Sequence, residues 1–233
     1  MVCCCWKSTT PTPRVKDPTD DVACAGFTIE RWLSPTKVAK LRKEALCFTA
    51  RVHTTQEQAT NERNILFTLV NAPGSCRRYA KPVRVPSLPR YVVCVYARGL
   101  DLLQALHGLP ATAISHCLKL VAESVAHMHD HGIAHLDIKP ENIVLRNRHY
   151  ASPMLIDFEY AIRVNGVADL QPLPARGTIK YMAPEMRHDN LAGCPCDVYS
   201  LAETIAVCTG HRTVVVDDNP LTRITARQLL ERL

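Results

Sequence analysis

The chain has 233 residues, 47% of them apolar, and a formal charge of +6 from 28 Lys and Arg against 22 Asp and Glu. At roughly 150 residues per domain this length means one large domain or two small lobes. With 21% charged residues and no uninterrupted apolar run long enough to span a bilayer, the composition excludes a disordered chain, a collagen-like fibre and a spanning helix. The basic excess is mild and spread along the chain, so charge alone selects neither nucleic acid nor an anionic small ligand.

Residues 1–21 hold turn formers (Thr10-Pro11-Thr12-Pro13), clustered Asp and little apolar periodicity, and read as a flexible leader. Met1 to Lys7 lacks the basic region and apolar run of a secretory signal, and the 11 cysteines are scattered and odd in number. They read as thiols of a reducing compartment, so an intracellular protein, cytoplasmic or nuclear, is expected. Cys194-Pro195-Cys196 has no second Cys or His pair at zinc-ligand spacing. Cys3-Cys4-Cys5 could carry S-acyl groups, and Val2 excludes N-myristoylation, but a disordered leader is the preferred reading.

Folding is expected to start near Val22. Phe27 to Leu33 and Thr36 to Leu41 read as two short strands joined by a tight turn at Ser34-Pro35. From about Gln56 to Leu69 the residues Ala59, Ile65, Leu66 and Leu69 recur at helical spacing, and Asn71-Ala72-Pro73-Gly74 ends that helix. Tyr91 to Tyr96 is a buried-strand candidate. Beyond Gly99 the character changes, with amphipathic helices predicted at Leu100 to Leu106 and at Thr112 to His131, the second closed by Gly132. His127, His129 and His131, at the end of that helix, do not share a face, so a favourable place at a helix C-terminus accounts for them better than a metal. A strand-rich beginning and a helix-rich remainder suggest two lobes, 22–99 and 100–233, with the chemistry where they meet.

His135-Leu136-Asp137-Ile138-Lys139-Pro140-Glu141-Asn142 follows the helix stop and precedes the apolar run Ile143-Val144-Leu145. Asp, Lys and Asn at this spacing can converge: a carboxylate to take a proton, an ammonium to neutralise phosphate, an amide oxygen for a metal. Met154-Leu155-Ile156 then delivers Asp157-Phe158 at a strand end, a second carboxylate suited to Mg²⁺ bridged to phosphates. One base and one metal-binding carboxylate imply phosphoryl transfer.

These residues resemble the catalytic loop of the eukaryotic-type protein kinase superfamily, and the resemblance continues in order from about Leu102 to the C-terminus. Asp157-Phe158-Glu159 stands where the family has Asp-Phe-Gly. Gly177-Thr178-Ile179-Lys180-Tyr181-Met182-Ala183-Pro184-Glu185 resembles the end of the activation segment, and Asp197-Val198-Tyr199-Ser200-Leu201 the start of the long C-lobe helix. Arg223-Ile224-Thr225-Ala226 is similar to the closing helical segment, whose Arg pairs with the Glu of Ala-Pro-Glu, here Glu185. The implied fold is α+β and two-lobed: a small, mostly β N-lobe with one main helix, and a larger, mostly α C-lobe. Its reduced form is similar to the diverged kinases of large DNA viruses.

The resemblance implies a serine/threonine-type kinase with Asp137 as base, Lys139 on the transferred phosphoryl charge, and Asn142 and Asp157 holding Mg²⁺. Glu62, in a segment that looks like the family's N-lobe helix, would pair with the ATP-binding lysine of the preceding strand. Lys37-Val38-Ala39-Lys40 fits that strand, which assigns Lys40, with Lys43 in reserve. ATP and Mg²⁺ are the implied cofactors and protein substrates the partners, with a monomer expected, no nucleic acid and no membrane span. His135 is assigned a packing role.

Three departures stand out. Before Lys40 only Gly26 is available where the family has three glycines over the ATP phosphates, which should weaken nucleotide binding or slow transfer. Glu159 replaces a glycine, its simplest placement being a side chain turned to solvent. Leu136 replaces the Arg that pairs with a phosphorylated activation loop, so an activation segment ordered without phosphorylation is expected. The missing glycines and Glu159 favour a pseudokinase that engages other signalling proteins, whereas Asp137, Lys139, Asn142 and Asp157 favour catalysis. A phosphotransferase acting on a small alcohol is a third reading, which Ala183-Pro184-Glu185 opposes.

Overall fold

The computed structural model describes residues 25–34, 38–44, 46–75, 78–95, 99–146, 152–212 and 214–233. The leader at 1–21, with Cys3 to Cys5, and the start near Val22 lie outside the described residues.

Five antiparallel strands form one sheet in the order β1-β2-β3-β5-β4: β1 Thr28–Ser34, β2 Val38–Lys43, β3 Leu46–Val52, β4 Pro82–Val83 and β5 Tyr91–Val95. The pleat alternates side chains between faces. Ala39 and Leu41 of β2, Phe48 and Ala50 of β3, and Tyr91 and Val93 of β5 therefore share one side, where they pack with Phe27 and Leu88. Lys40 lies opposite Thr49 in the β2–β3 register, so it and Arg51, two residues beyond Thr49, occupy the other face.

The strand over Leu46–Val52 has no counterpart among the sequence expectations, and it changes one assignment. Lys43 pairs with Leu46, so only two residues link β2 to β3. The strand that runs into the main helix is therefore β3, and its cation is Arg51. Lys40 lies one strand earlier and pairs with Glu30 at 2.8 Å. Lys43 lays its ammonium over the Phe27 ring, 5.2 Å from the centroid. Neither is the lysine of the strand before the helix.

That helix, α1 (Gln56–Asn71), opens on a capping box in which Thr55 and Gln58 satisfy each other's backbone N–H groups. It buries Ala59, Glu62, Ile65, Leu66 and Leu69, one helical face. The apolar members join a core continuous with the helical part: α3 (Ala111–Asp130), α5 (Cys194–Thr209) and Phe158. The short α2 covers Leu102–Ala105, and Leu106–Gly108 is a 3-10 turn. Leu100 and Asp101 belong instead to β6 (Gly99–Asp101), which pairs with β8 (Ile143–Arg146), and the Asp101 carboxylate caps α2 by accepting from Gln104 N–H at 2.9 Å. Among the described residues no helix is long and apolar enough to cross a membrane.

Short strand pairs fix the connections around the lobes' junction. β9 (Pro153–Leu155) completes a sheet with β6 and β8, and β10 (Ile162–Arg163) pairs with β7 (Ile133–Ala134). β11 (Leu170–Pro172) pairs with β12 (Leu191–Gly193), immediately before α5. Two further short helices, α4 (Pro184–His188) and α6 (Ala226–Leu230), complete the fold. The layout is the α+β, two-lobed one expected from the sequence.

Candidate active site

The loop at 135–142 is held from beneath by a buried carboxylate. Asp197, near the start of α5 and 0% exposed, accepts the backbone N–H groups of His135 and Leu136, both at 2.7 Å, and the His129 ring at 2.9 Å. Leu136 carries φ of +66°, a left-handed conformation that costs a non-glycine residue about 1 kcal/mol or more. The two charge-assisted hydrogen bonds offset that cost. His129, in the last turn of α3, is thus also a buried partner of Asp197.

Above this support, four side chains converge. Asp137 Oδ1 accepts from the Thr178 hydroxyl at 2.7 Å, and Oδ2 accepts from Lys139 Nζ at 2.7 Å and Asn142 Nδ2 at 3.0 Å. Lys139 also donates to Thr178 Oγ1 at 2.6 Å, and Asn142 Nδ2 to the Asp137 carbonyl at 2.8 Å. Asn142 thereby spends its amide hydrogens on Asp137 and keeps Oδ1 as a hard oxygen donor. Gly177 allows Thr178 this approach: its φ is +98°, and a Cβ there would stand 2.5 Å from Leu136 O. Thr178, one residue of the 177–185 motif in sequence, is made a member of the site by these contacts.

His135 packs as expected. Its ring Nδ1 accepts from Asp137 N–H at 3.3 Å, which leaves the ring proton on Nε2 to donate to Ile156 O at 3.0 Å. The ring lies against Phe158, centroids 4.6 Å apart, and Phe158 meets Tyr79 edge-on at 6.0 Å. Ile156 N–H returns a bond to Asn142 O at 3.0 Å, so the strand end bearing Asp157 is stitched to the catalytic loop.

The N-lobe contributes Arg51. Its Nη2 meets Asp157 Oδ2 and its Nη1 meets Glu159 Oε2, both at 2.6 Å. Burial opposes the guanidinium charge, but Asp157, Glu62 and Glu159 outweigh it and hold the Arg51 pKa above its ordinary value. Glu159, expected to turn to solvent, is instead an ion-pair partner. Glu62 is buried and bonds to His53 Nε2 at 2.6 Å, in place of Lys40. His53 follows Arg51 by two residues, so β3 and the residue after it supply both partners. Tyr160 links the two clusters electrostatically: burial first, then the carboxylates of Glu159, Asp137 and Asp157, raise its pKa.

The donor set suits a hard cation. Asn142 Oδ1 and the Asp157 carboxylate are the oxygen ligands Mg²⁺ takes alongside phosphate oxygens, rather than a closed protein cage. Among the described residues no three His, Cys, Asp or Glu side chains form such a cage.

The activation segment runs between apolar contacts. Leu136, 4% exposed, packs in a cluster with Ala134, Met182, Ala183 and Met186 where the family's Arg would seek a phosphate. The β7–β10 and β11–β12 pairs fix the rest of the segment. Phosphatase treatment of the purified protein is therefore expected to leave both its activity and the segment's resistance to proteolysis unchanged. Loss of either would show that a phosphate orders the segment.

At its far end Glu185 and Arg223 form the expected pair, Nη1 to Oε1 at 2.6 Å and Nη2 to Oε2 at 3.1 Å. Cys194 and Cys196 are buried at the start of α5 and Cys208 near its other end, and burial raises each thiol pKa, that of Cys208 to about 12. These thiols are packing groups at neutral pH.

The protein kinase domain family matches residues 49–232, and the chain belongs to that family. The match takes in Arg51 and leaves Lys40 outside. Over 137 residues the chain is 32% identical to the striated muscle preferentially expressed protein kinase of Danio rerio, covering 57% of the chain and 4% of that protein. It is 32% identical over 151 residues to mitogen-activated protein kinase kinase kinase 20 of Arabidopsis thaliana, covering 61% of the chain and 44% of that protein. A probable serine/threonine-protein kinase of Bifidobacterium longum is 28% identical over 137 residues, 58% of the chain and 18% of that protein. The chain thus spans less than half the length of the curated relatives it matches. The fold is the two-lobed α+β fold of protein kinases.

Proposed function

We propose that the chain is an active serine/threonine-type protein kinase that transfers the γ-phosphoryl group of ATP to protein hydroxyls. The observation that carries this reading is the convergence of Lys139, Asn142 and Thr178 on the Asp137 carboxylate, stitched through Ile156 to Asp157. Asp137 takes the proton of the substrate hydroxyl as its oxygen attacks the γ-phosphorus and the bond to the bridging β,γ-oxygen breaks, leaving ADP. Lys139 stabilises charge on the transferred group. Asn142 and Asp157 would hold Mg²⁺, which neutralises phosphate charge when bound. Arg51 replaces Lys40 as the N-lobe cation for the nucleotide phosphates, and Glu62 keeps α1 in place through His53. The name of the Bifidobacterium longum relative, a probable serine/threonine-protein kinase, supports serine/threonine specificity.

A pseudokinase is the second reading, favoured by Arg51 lying on Asp157 and by the absence of glycine from Ser34 to Lys37, the link between β1 and β2. The assay that separates them offers the purified protein Mg²⁺, γ-labelled ATP and a protein mixture, followed by phosphoamino-acid analysis. Label on serine and threonine is the expected result. No transfer by a protein that demonstrably binds nucleotide would establish the pseudokinase, and label only on small alcohols would establish the third class.

A further inference from the structure

Arg51 and Glu159 are two departures from the kinase pattern that meet each other. A lysine in the family strand has one ammonium to share between a helix glutamate and phosphate. Here those tasks are divided. His53 takes Glu62 in a buried pair, each side chain no more than 5% exposed. Arg51 is left with a two-pronged guanidinium whose prongs are used separately, Nη1 on Glu159 and Nη2 on Asp157. Its side chain is 14% exposed and those of Asp157 and Glu159 are 24% and 26% exposed, so the cluster stands at the edge of the site where a solute can reach it.

Arg51 meets Asp157 through Oδ2, and its guanidinium charge beside that carboxylate opposes the arrival of a cation there. A planar fork can give up one partner without losing its orientation, because the other prong stays fixed. We infer that Glu159 is a positioning residue: it keeps Arg51 Nη1 while Nη2 exchanges the Asp157 carboxylate for a nucleotide phosphate oxygen, which releases Asp157 to bind metal. This inference rests on the nucleotide-binding part of the proposed function. It gives Glu159 a task that a glycine could not perform, and it gives Arg51 one that a lysine would perform differently. An ammonium carries its donors on one atom with no rigid fork to hold two partners apart, so beside lysine the Glu159 carboxylate and a phosphate would draw on the same nitrogen.

The test reads ADP binding, with and without MgCl₂, by calorimetry and by ligand-induced shifts in melting temperature, which also rank weak binders. The proteins are wild type, Glu159→Gln, Arg51→Lys and the double variant. Losing one charge-assisted hydrogen bond that is partly open to solvent is expected to make Glu159→Gln bind Mg·ADP about tenfold more weakly. Its melting temperature without ligand should stay near that of the wild type. In the Arg51→Lys background the same change is expected to leave affinity unchanged or to raise it. That reversal is a readout a merely structural Glu159 would not produce. Equal weakening in both backgrounds, or none in the Arg51 protein, overturns the inference and leaves the kinase reading standing. Coupling without transfer to protein leaves the inference standing and overturns catalysis. Absence of ADP binding by wild type overturns both.

Discussion

Asp137→Ala is expected to lower phosphoryl transfer to protein by about 10² to 10⁴-fold, the range for loss of a positioned general base. Nucleotide affinity should change little, because none of the groups assigned to the phosphates or the metal is removed. The size of the effect follows from how completely the carboxylate is engaged: Thr178 holds one oxygen, and Lys139 and Asn142 hold the other. With its side chain only 5% exposed, water cannot stand in for it without rearranging the loop. Asp137→Asn keeps an oxygen for Lys139 and Asn142 and can turn its amide to Thr178 Oγ1, which can accept, while losing the basicity, so it should reproduce the loss of rate with less disturbance of structure. Steady-state rates with labelled ATP, set beside ADP affinities for the same proteins, make the comparison. A variant that transfers at the wild-type rate would remove Asp137 from the chemistry.

Arg223→Ala is expected to be the most destabilising single change, by about 3 to 5 kcal/mol, because it leaves a buried carboxylate without its counter-charge. All five N–H groups of Arg223 are used: two on Glu185 and the others on the carbonyls of Asp217, Pro195 and Asp218. The guanidinium also lies 5.3 Å from the Tyr199 ring centroid. After truncation Glu185 would keep, among the described residues, only the Cys196 thiol, at 3.3 Å. For a protein of this size such a loss corresponds to a fall in melting temperature of about 6 to 20 °C, measurable by calorimetry. Arg223→Lys retains the charge without the fork and should fall between the two. A shift within a degree or two of wild type would mean that the pair contributes little to stability.

The C-terminal part of the fold was legible because its chemistry is written at short, fixed spacing. Asp137, Lys139 and Asn142 lie on one loop, and the Glu185–Arg223 pair follows from two motifs. The N-terminal part was legible as strands and one helix but not in register. The chain turns between β2 and β3 without the Asn or Gly that marks such a hairpin, and Glu44 holds φ of +53°. With no turn signal to part β2 from β3, the alternation Phe48-Thr49-Ala50-Arg51 does not stand out as a strand of its own, and the lysines that most closely precede the helix in sequence, Lys40 and Lys43, lie on β2. Arg51 stands where the family pattern has a lysine, so the pattern does not mark it. His53 gave none either, since its partner Glu62 lies on a different element. Glu159 was visible as a departure, but its partner becomes apparent only when β3 is laid against the strand end bearing Asp157.

Asp197 adds a consequence of a different kind. Through it the amides of His135 and Leu136 are bound to the start of a helix that is buried along most of its length. The loop that carries Asp137 therefore inherits the rigidity of α5 rather than the mobility usual for a polar connection. Its shape is set when the larger lobe folds, before nucleotide or substrate arrives, and substrates meet a template that needs no rearrangement beneath Asp137.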